Sequence, residues 1–151
     1  MKRAHGVKIR AYSDMTDRNR LTEIWLDASR VGHPFLSESD LLDQQAKVRD
    51  IYLPQAENWV AELDGKSVAF IGLIDSFIGG LFVAPAAHGH GLGKALVLHA
   101  AGIKGALEVE VYAANKAAVG FYQRGGFVEV LRHSQDDEGR PLEVIRMRRA
   151  G

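Results

Sequence analysis

Apolar and polar residues alternate along VKIRAY (Val7 to Tyr12), and then the period changes. Leu21, Ile24, Trp25, Ala28 and Val31 recur at helical spacing behind a start near Ser13 or Asp14. A strand followed by an amphipathic helix is the expectation, and HPFL breaks that helix. Leu41, Gln45, Val48 and Tyr52 predict a second helix from about Ser37 or Ser39. It should end at Pro54, because proline lacks the N–H that would continue the ladder. WVAEL and SVAFIGLI flank Asp64-Gly65, the signature of a hairpin with a two-residue connection, and FIGGLFV is a third strand. Farther on, Leu92, Ala95, Leu96, His99 and Ile103 share a helical stripe, while ALEVEVY puts Leu107, Val109 and Val111 on one face of a strand. A short helix from Asn115 to about Arg124 closes with RGGF. Two last strands, Val128–His133 and Leu142–Met147, flank the polar turn SQDDEGRP. The order β α α β β β α β α β β, without repeat or linker, predicts one α+β domain over residues 1–151 around a mixed sheet.

Composition narrows what such a domain does. Hydrophobic residues are 46% and charged residues 25% of 151, the balance of a globular chain with one core. Lys plus Arg equals Asp plus Glu at 19 each, so no global field draws the chain onto nucleic acid or an anionic membrane. The absence of cysteine excludes disulfides, a thiolate metal site and a cysteine nucleophile. With no membrane-length apolar run and no signal-like start, a cytoplasmic location is expected.

The densest chemical signal is HGHGLGKAL, His88 to Leu96, where glycines alternate just before good helix formers. It is not a Walker A loop, which needs a glycine where His88 stands and a hydroxyl where Ala95 stands. Nor is it a dinucleotide fingerprint, because Gly89, Gly91 and Gly93 run G-x-G-x-G in mid-chain. What remains is general: glycines admit positive φ, and the first N–H groups of a helix are unpaired donors at the positive end of a dipole. His88 and His90 have no carboxylate or thiolate beside them in the loop, so no metal is expected there.

Two linked segments carry a resemblance. LFVAPAAHGHGLGKALVLHA (Leu81 to Ala100), followed by VYAANKAAVGFYQRGGFVEV (Val111 to Val130), resembles the GNAT superfamily of acyl-CoA-dependent N-acetyltransferases. In that family a Q/R-x-x-G-x-G/A loop binds the CoA pyrophosphate, and an N-x-x-A-x-x-F-Y-x-x-x-G-F segment flanks the thioester. IWLDASRVGHPFL, the tail and the overall length are similar to the small bacterial YjaB-like branch. The resemblance implies a mixed, mostly antiparallel sheet splayed between its central strands, with flanking helices. It also implies acetyl-CoA as cosubstrate, no metal, and a primary amine acceptor on a small molecule or a protein lysine, attacked directly in a ternary complex. A monomer or homodimer is expected.

The resemblance assigns the CoA site to Leu81, Phe82 and Val83 of the strand before the loop, to His88, Gly89, His90, Gly91, Leu92, Gly93 and Lys94 of the loop and helix start, and to Asn115 and Tyr122. His88 stands where the family usually has Gln or Arg, so backbone N–H groups must carry most of the phosphate binding, with the imidazole as an auxiliary. Tyr122 matches the general acid that faces the leaving thiolate, and Phe121 is then the better core residue. Asn115 is also a good N-cap. The general base is not marked: Phe77 to Val83 holds no ionisable residue, leaving Asp75, Glu110 and His33. His33 is favoured as catalytic, from a loop that lines the acceptor pocket in this fold and with an ordinary imidazole pKa near 6.5. A CoA-binding sensor without turnover is the alternative, and a nucleotide module without CoA chemistry is disfavoured by the failed motifs.

Overall fold

The computed structural model describes residues 6–151. Seven strands form one sheet in the order β1-β2-β3-β4-β5-β7-β6. They are β1 (Val7–Ala11), β2 (Glu57–Leu63), β3 (Lys66–Ile74), β4 (Phe77–Val83), β5 (Leu107–Tyr112), β6 (Val128–His133) and β7 (Val144–Arg149). All neighbouring pairs are antiparallel except β4 and β5. The Asp64-Gly65 hairpin forms as expected, with both residues at positive φ (53° and 82°), the requirement of a two-residue turn between twisted strands.

Helices cover both faces. On one lie α1 (Asp14–Gly32), α2 (Glu38–Lys47) and α3 (Leu53–Gln55); on the other lie α4 (Leu92–Lys104) and α5 (Lys116–Arg124). Two cores result. Leu21, Ile24, Trp25, Leu41 and Leu53 pack on Val60 and Phe70, with Phe82 and Tyr112 at the margin. Leu92, Leu96, Ala100 and Tyr122 pack on Ile71, Ile78, Val109 and Met147 on the opposite face.

Four local expectations change. The second helical segment does not stop at Pro54: a π-type turn over Val48–Tyr52 leads into α3, with the Leu53 N–H reaching Val48 O. That widened turn opens the ladder just ahead of a residue with no N–H and a ring that crowds the carbonyl four back. Val31, Tyr52 and Ile103 continue their stripes on paper but are exposed at 60%, 46% and 47%: Val31 and Ile103 lie near their helix ends, and the widened turn over Val48–Tyr52 shifts the register so that Leu53 enters the core in place of Tyr52. The last strand is Val144–Arg149 and not Leu142–Met147, since Leu142 turns back onto the α1–α2 core. Finally, Tyr122 is buried while Phe121 is half-exposed, the reverse of the expected assignment.

Candidate active site

The parallel pair β4 and β5 is joined over only two positions, Phe77 with Glu108 and Ile78 with Val109, and the strands then part. A bulge decides which groups look into the gap. Gly72 pairs with Gly80 but Leu73 pairs with Ile78, so Gly79 is the extra residue on β4. Ahead of it, Ser76 O accepts from the Glu108 N–H, so even-numbered residues face β5. Beyond it, the Ala84 N–H donates to Val68 O on β3, which by antiparallel alternation also turns Phe82 toward β3. Leu81 and Val83 therefore turn their backbone N–H and C=O groups toward the gap, where the Val83 carbonyl is already taken by His88 Nε2 at 3.1 Å. Of the three β4 residues nominated from sequence, Phe82 is the one whose main chain does not face it.

The glycine loop follows directly. Gly89 and Gly91 have φ of 86° and 73°, and a Cβ on either would meet nothing within 4 Å, so the backbone is open to solvent there. Gly91 is the N-cap of α4 and has no side chain with which to cap it; the first helical bond runs from the Ala95 N–H to Gly91 O. The N–H groups of Leu92, Gly93 and Lys94 are thus free of intrahelical partners at the positive end of the helix dipole. Gly93 is glycine for a different reason: a Cβ there would lie 3.3 Å from Phe121 Cζ and 3.9 Å from Leu81 Cδ2, so the Phe121 ring closes the wall between helix start and gap. This open, uncapped cradle beside unpaired strand backbone fits a diphosphate followed by an extended chain.

The loop histidines behave differently from expectation. His88 Nε2 lies 3.1 Å from Val83 O and His90 Nδ1 3.0 Å from Ala87 O. A carbonyl only accepts, so these nitrogens carry the protons. His88 Nε2 is thereby committed to bracing the loop, and only its Nδ1 remains to face a phosphate. Lys94 is exposed in the first turn of α4.

Asn115 caps α5 as expected, its Oδ1 accepting the Ala118 N–H at 3.1 Å. Its amide nitrogen lies against Gly32, where a Cβ would come within 3.3 Å. About two turns on, Tyr122 packs edge-on between Phe121 and Phe127. Burial alone raises its phenol well above the ordinary tyrosine range, so the group is protonated at neutral pH.

On the other face of the gap stand His33, Phe35 and Tyr112, with ring centroids 5.0 to 5.5 Å apart. Burial lowers His33 to about 4, and its Nδ1 is buried without a hydrogen-bond partner. The expected pKa near 6.5 is therefore corrected: desolvation among aromatic rings penalises the imidazolium, and a base this weak is poorly matched to an alkylammonium. Asp75 lies in the β3–β4 turn, at the far end of β4 from the gap. Glu110 is engaged by Arg146 at 3.1 Å and His133 at 3.5 Å. Sequence reasoning missed the carboxylates of SQDDEGRP. Asp136, Asp137 and Glu110 help to line an open depression of about 560 Å³ beside β5. Burial, then Glu138, Asp136 and Glu110, push the Asp137 carboxyl up. Among the described residues no group of three His, Asp or Glu is placed to hold a metal ion.

Comparison with known proteins agrees with this geometry. Residues 54–129 match the model of the acetyltransferase (GNAT) domain. The peptidyl-lysine N-acetyltransferase YiaC of Escherichia coli is 39% identical over 126 residues, covering 83% of this chain and 86% of that protein. The solution structure of apo-form YjaB from Escherichia coli superposes with a TM-score of 0.86 at 32% identity, covering 96% of this chain and 98% of that one. The fold is also that of the PaiA N-acetyltransferase from Thermoplasma acidophilum, solved in complex with coenzyme A (TM-score 0.80, 19% identity, 96% and 99% covered).

Proposed function

The chain belongs to the GNAT acetyltransferase family and is an acetyl-CoA-dependent N-acetyltransferase; from that premise we propose that its acceptor is the ε-amine of lysine side chains in proteins. The relatives' peptidyl-lysine names support that acceptor. The observation that carries the site is the pairing of an uncapped α4 N-terminus with the Leu81 backbone and the Val83 N–H, which face the β4–β5 gap. We place the reaction in the cytoplasm, where acetyl-CoA is at hand; among the described residues no helix is long and apolar enough to cross a membrane.

Acetyl-CoA supplies an acyl group already activated as a thioester. The N–H groups of Leu92, Gly93 and Lys94 hold its diphosphate, helped by the αL turns at Gly89 and Gly91 and by the charge of Lys94. The Leu81 N–H, aimed into the gap, donates to the acyl oxygen as it gains negative charge. Asn115 offers its amide nitrogen to the pantetheine while its oxygen caps α5. Tyr122 donates its proton toward the departing sulfur. An unperturbed phenol sits about 1.5 pKa units above an alkyl thiol, and burial widens that difference, so a hydrogen bond that strengthens in the transition state describes its role better than full transfer. His33 takes a revised part: its neutral ring accepts a hydrogen bond from the incoming amine and orients it as the free base, whose nitrogen bonds the acyl carbon as the C–S bond breaks, the proton it sheds ending on the departing CoA sulfur.

A panel of lysine peptides, polyamines and small primary amines, assayed by thiol release with full-length protein, tests the acceptor. Lysine peptides should be preferred. Faster turnover of a small amine would overturn the protein-lysine reading, and tight acetyl-CoA binding with no turnover on any amine would favour a CoA sensor.

A further inference from the structure

Asp136 is only 8% exposed, and both carboxylate oxygens are fully used. Oδ1 accepts the backbone N–H groups of Glu138 (3.0 Å) and Arg140 (2.8 Å), which fold the turn between β6 and β7. Oδ2 accepts the Tyr112 hydroxyl at 2.8 Å and Arg140 Nη1 at 3.2 Å. Closing a turn needs only the first oxygen. The second reaches another strand and takes hold of the ring that meets His33 and Phe35 edge-on.

The same loop is tied to α2. Arg140 Nη2 lies 3.2 Å from Asp40 Oδ1, and Lys47 Nζ lies 2.8 Å from Glu138 Oε1. Leu142 packs on the α1–α2 core. Segments 100 residues apart in sequence are thereby joined around Tyr112.

Resting on the reading that this face receives the amine, we propose that Asp136 is a positioning residue for the acceptor. It fixes the Tyr112 ring against His33 and Phe35 and holds the 136–140 turn beside that aromatic cluster, the surface that receives the acceptor. It does not touch the reacting atoms, and nothing it holds faces the α4 cradle. Asparagine is informative here because an amide has one acceptor oxygen. If that oxygen keeps the two turn N–H groups, the NH₂ group faces the Tyr112 hydroxyl and Arg140, and the phenol loses its acceptor.

The experiment compares full-length wild type, Asp136→Asn, Tyr112→Phe and the double variant with a lysine peptide and acetyl-CoA. The acceptor KM should rise about 10-fold in each single variant, as expected for loss of a charge-assisted hydrogen bond. The acetyl-CoA KM should stay within about twofold, and the double variant should be no worse than the poorer single one, because both remove the same contact. An unchanged acceptor KM in either folded variant, equal loss of affinity for both substrates, or additive losses would overturn the proposal. A second readout needs no acceptor and holds if Asp136→Asn does not fold. Tyr112→Phe should speed amide hydrogen exchange at Glu138 and Arg140 while leaving residues 88–94 unchanged; unchanged exchange at Glu138 and Arg140 overturns the coupling. Failure of the wild type to acetylate any amine speaks against the proposed function alone, since the exchange result stands apart from it.

Discussion

On the α4–α5 face, the groups offered to a ligand belong to the main chain: the N–H groups of Leu92, Gly93 and Lys94, the Leu81 backbone and the Val83 N–H. On the α1–α2 face they are side chains, the rings of His33, Phe35 and Tyr112 and the carboxylates of the β6–β7 loop. The difference teaches what each face can vary. A backbone cradle depends on glycine, on helix direction and on one bulge, so it recognises a diphosphate with few demands on side-chain identity. A side-chain face discriminates, and any of its members can change while the sheet stays intact.

If that division holds, substitutions should affect one side at a time. Gly91→Glu places an anion in the cradle, where repulsion from a diphosphate about 4 Å away at an effective dielectric near 20 amounts to several kcal/mol; acetyl-CoA affinity should fall by more than ~10³-fold. Calorimetry on folded protein checks this, and Gly91→Ala separates the charge from the cost of a Cβ at positive φ. Affinity equal to wild type in Gly91→Glu would move the diphosphate elsewhere.

Tyr122 belongs to the core of the α4–α5 face. Tyr122→Phe keeps the ring among Phe121 and Phe127 and removes only the donor, so kcat should drop by roughly 10²- to 10⁴-fold with neither substrate's affinity much altered. Single-turnover rates decide it: an unchanged chemical step removes Tyr122 from catalysis.

The acceptor face should also be the more acid-sensitive. His33 is lowered to about 4 by burial, from 6.5, so the unfolded chain binds a proton that the folded chain refuses. The sign follows: stability is complete above pH 6.5 and declines as pH falls toward 4, by about 3 kcal/mol over that window at 1.36 kcal/mol per unit. Asp17, held below the ordinary carboxylate range first by its hydrogen bond from Arg10, loses its contribution mainly below that window. Chemical denaturation from pH 7 to 4 should show a flatter profile for His33→Leu than for wild type; identical slopes would refute the buried-imidazole account. The smallest effect belongs to Asn115→Ala, which removes the cap on Ala118 and should cost about 1 kcal/mol in thermal unfolding.

Legibility in the sequence divides along the same line. HGHGLGKAL and NKAAVGFYQRGGF are continuous, and their chemistry is local: glycine before a helix, an asparagine cap, a tyrosine about two turns later. Those segments could be assigned by reading along the chain. The partner of His88 Nε2, Val83 O, could not be read in the same way, because it depends on how the loop folds back. Tyr122 and Phe121 exchanged their expected burial because both fit the apolar stripe of a short helix, and only the seat of α5 against β5 separates them.

The sequence by itself determined the order of elements, the open helix start at Gly91 and the amphipathic faces, because each depends on residues within a few positions of one another. Tertiary structure alone decided three things. Parity beyond the Gly79 bulge selects Leu81 and Val83 to face the gap. Aromatic packing lowers the basicity of His33. The reach of Asp136 to Tyr112 ties a polar stretch of sequence to the aromatic cluster of His33, Phe35 and Tyr112. Pairing register, desolvation and long-range hydrogen bonds are properties of groups brought together from distant positions, and no local pattern carries them.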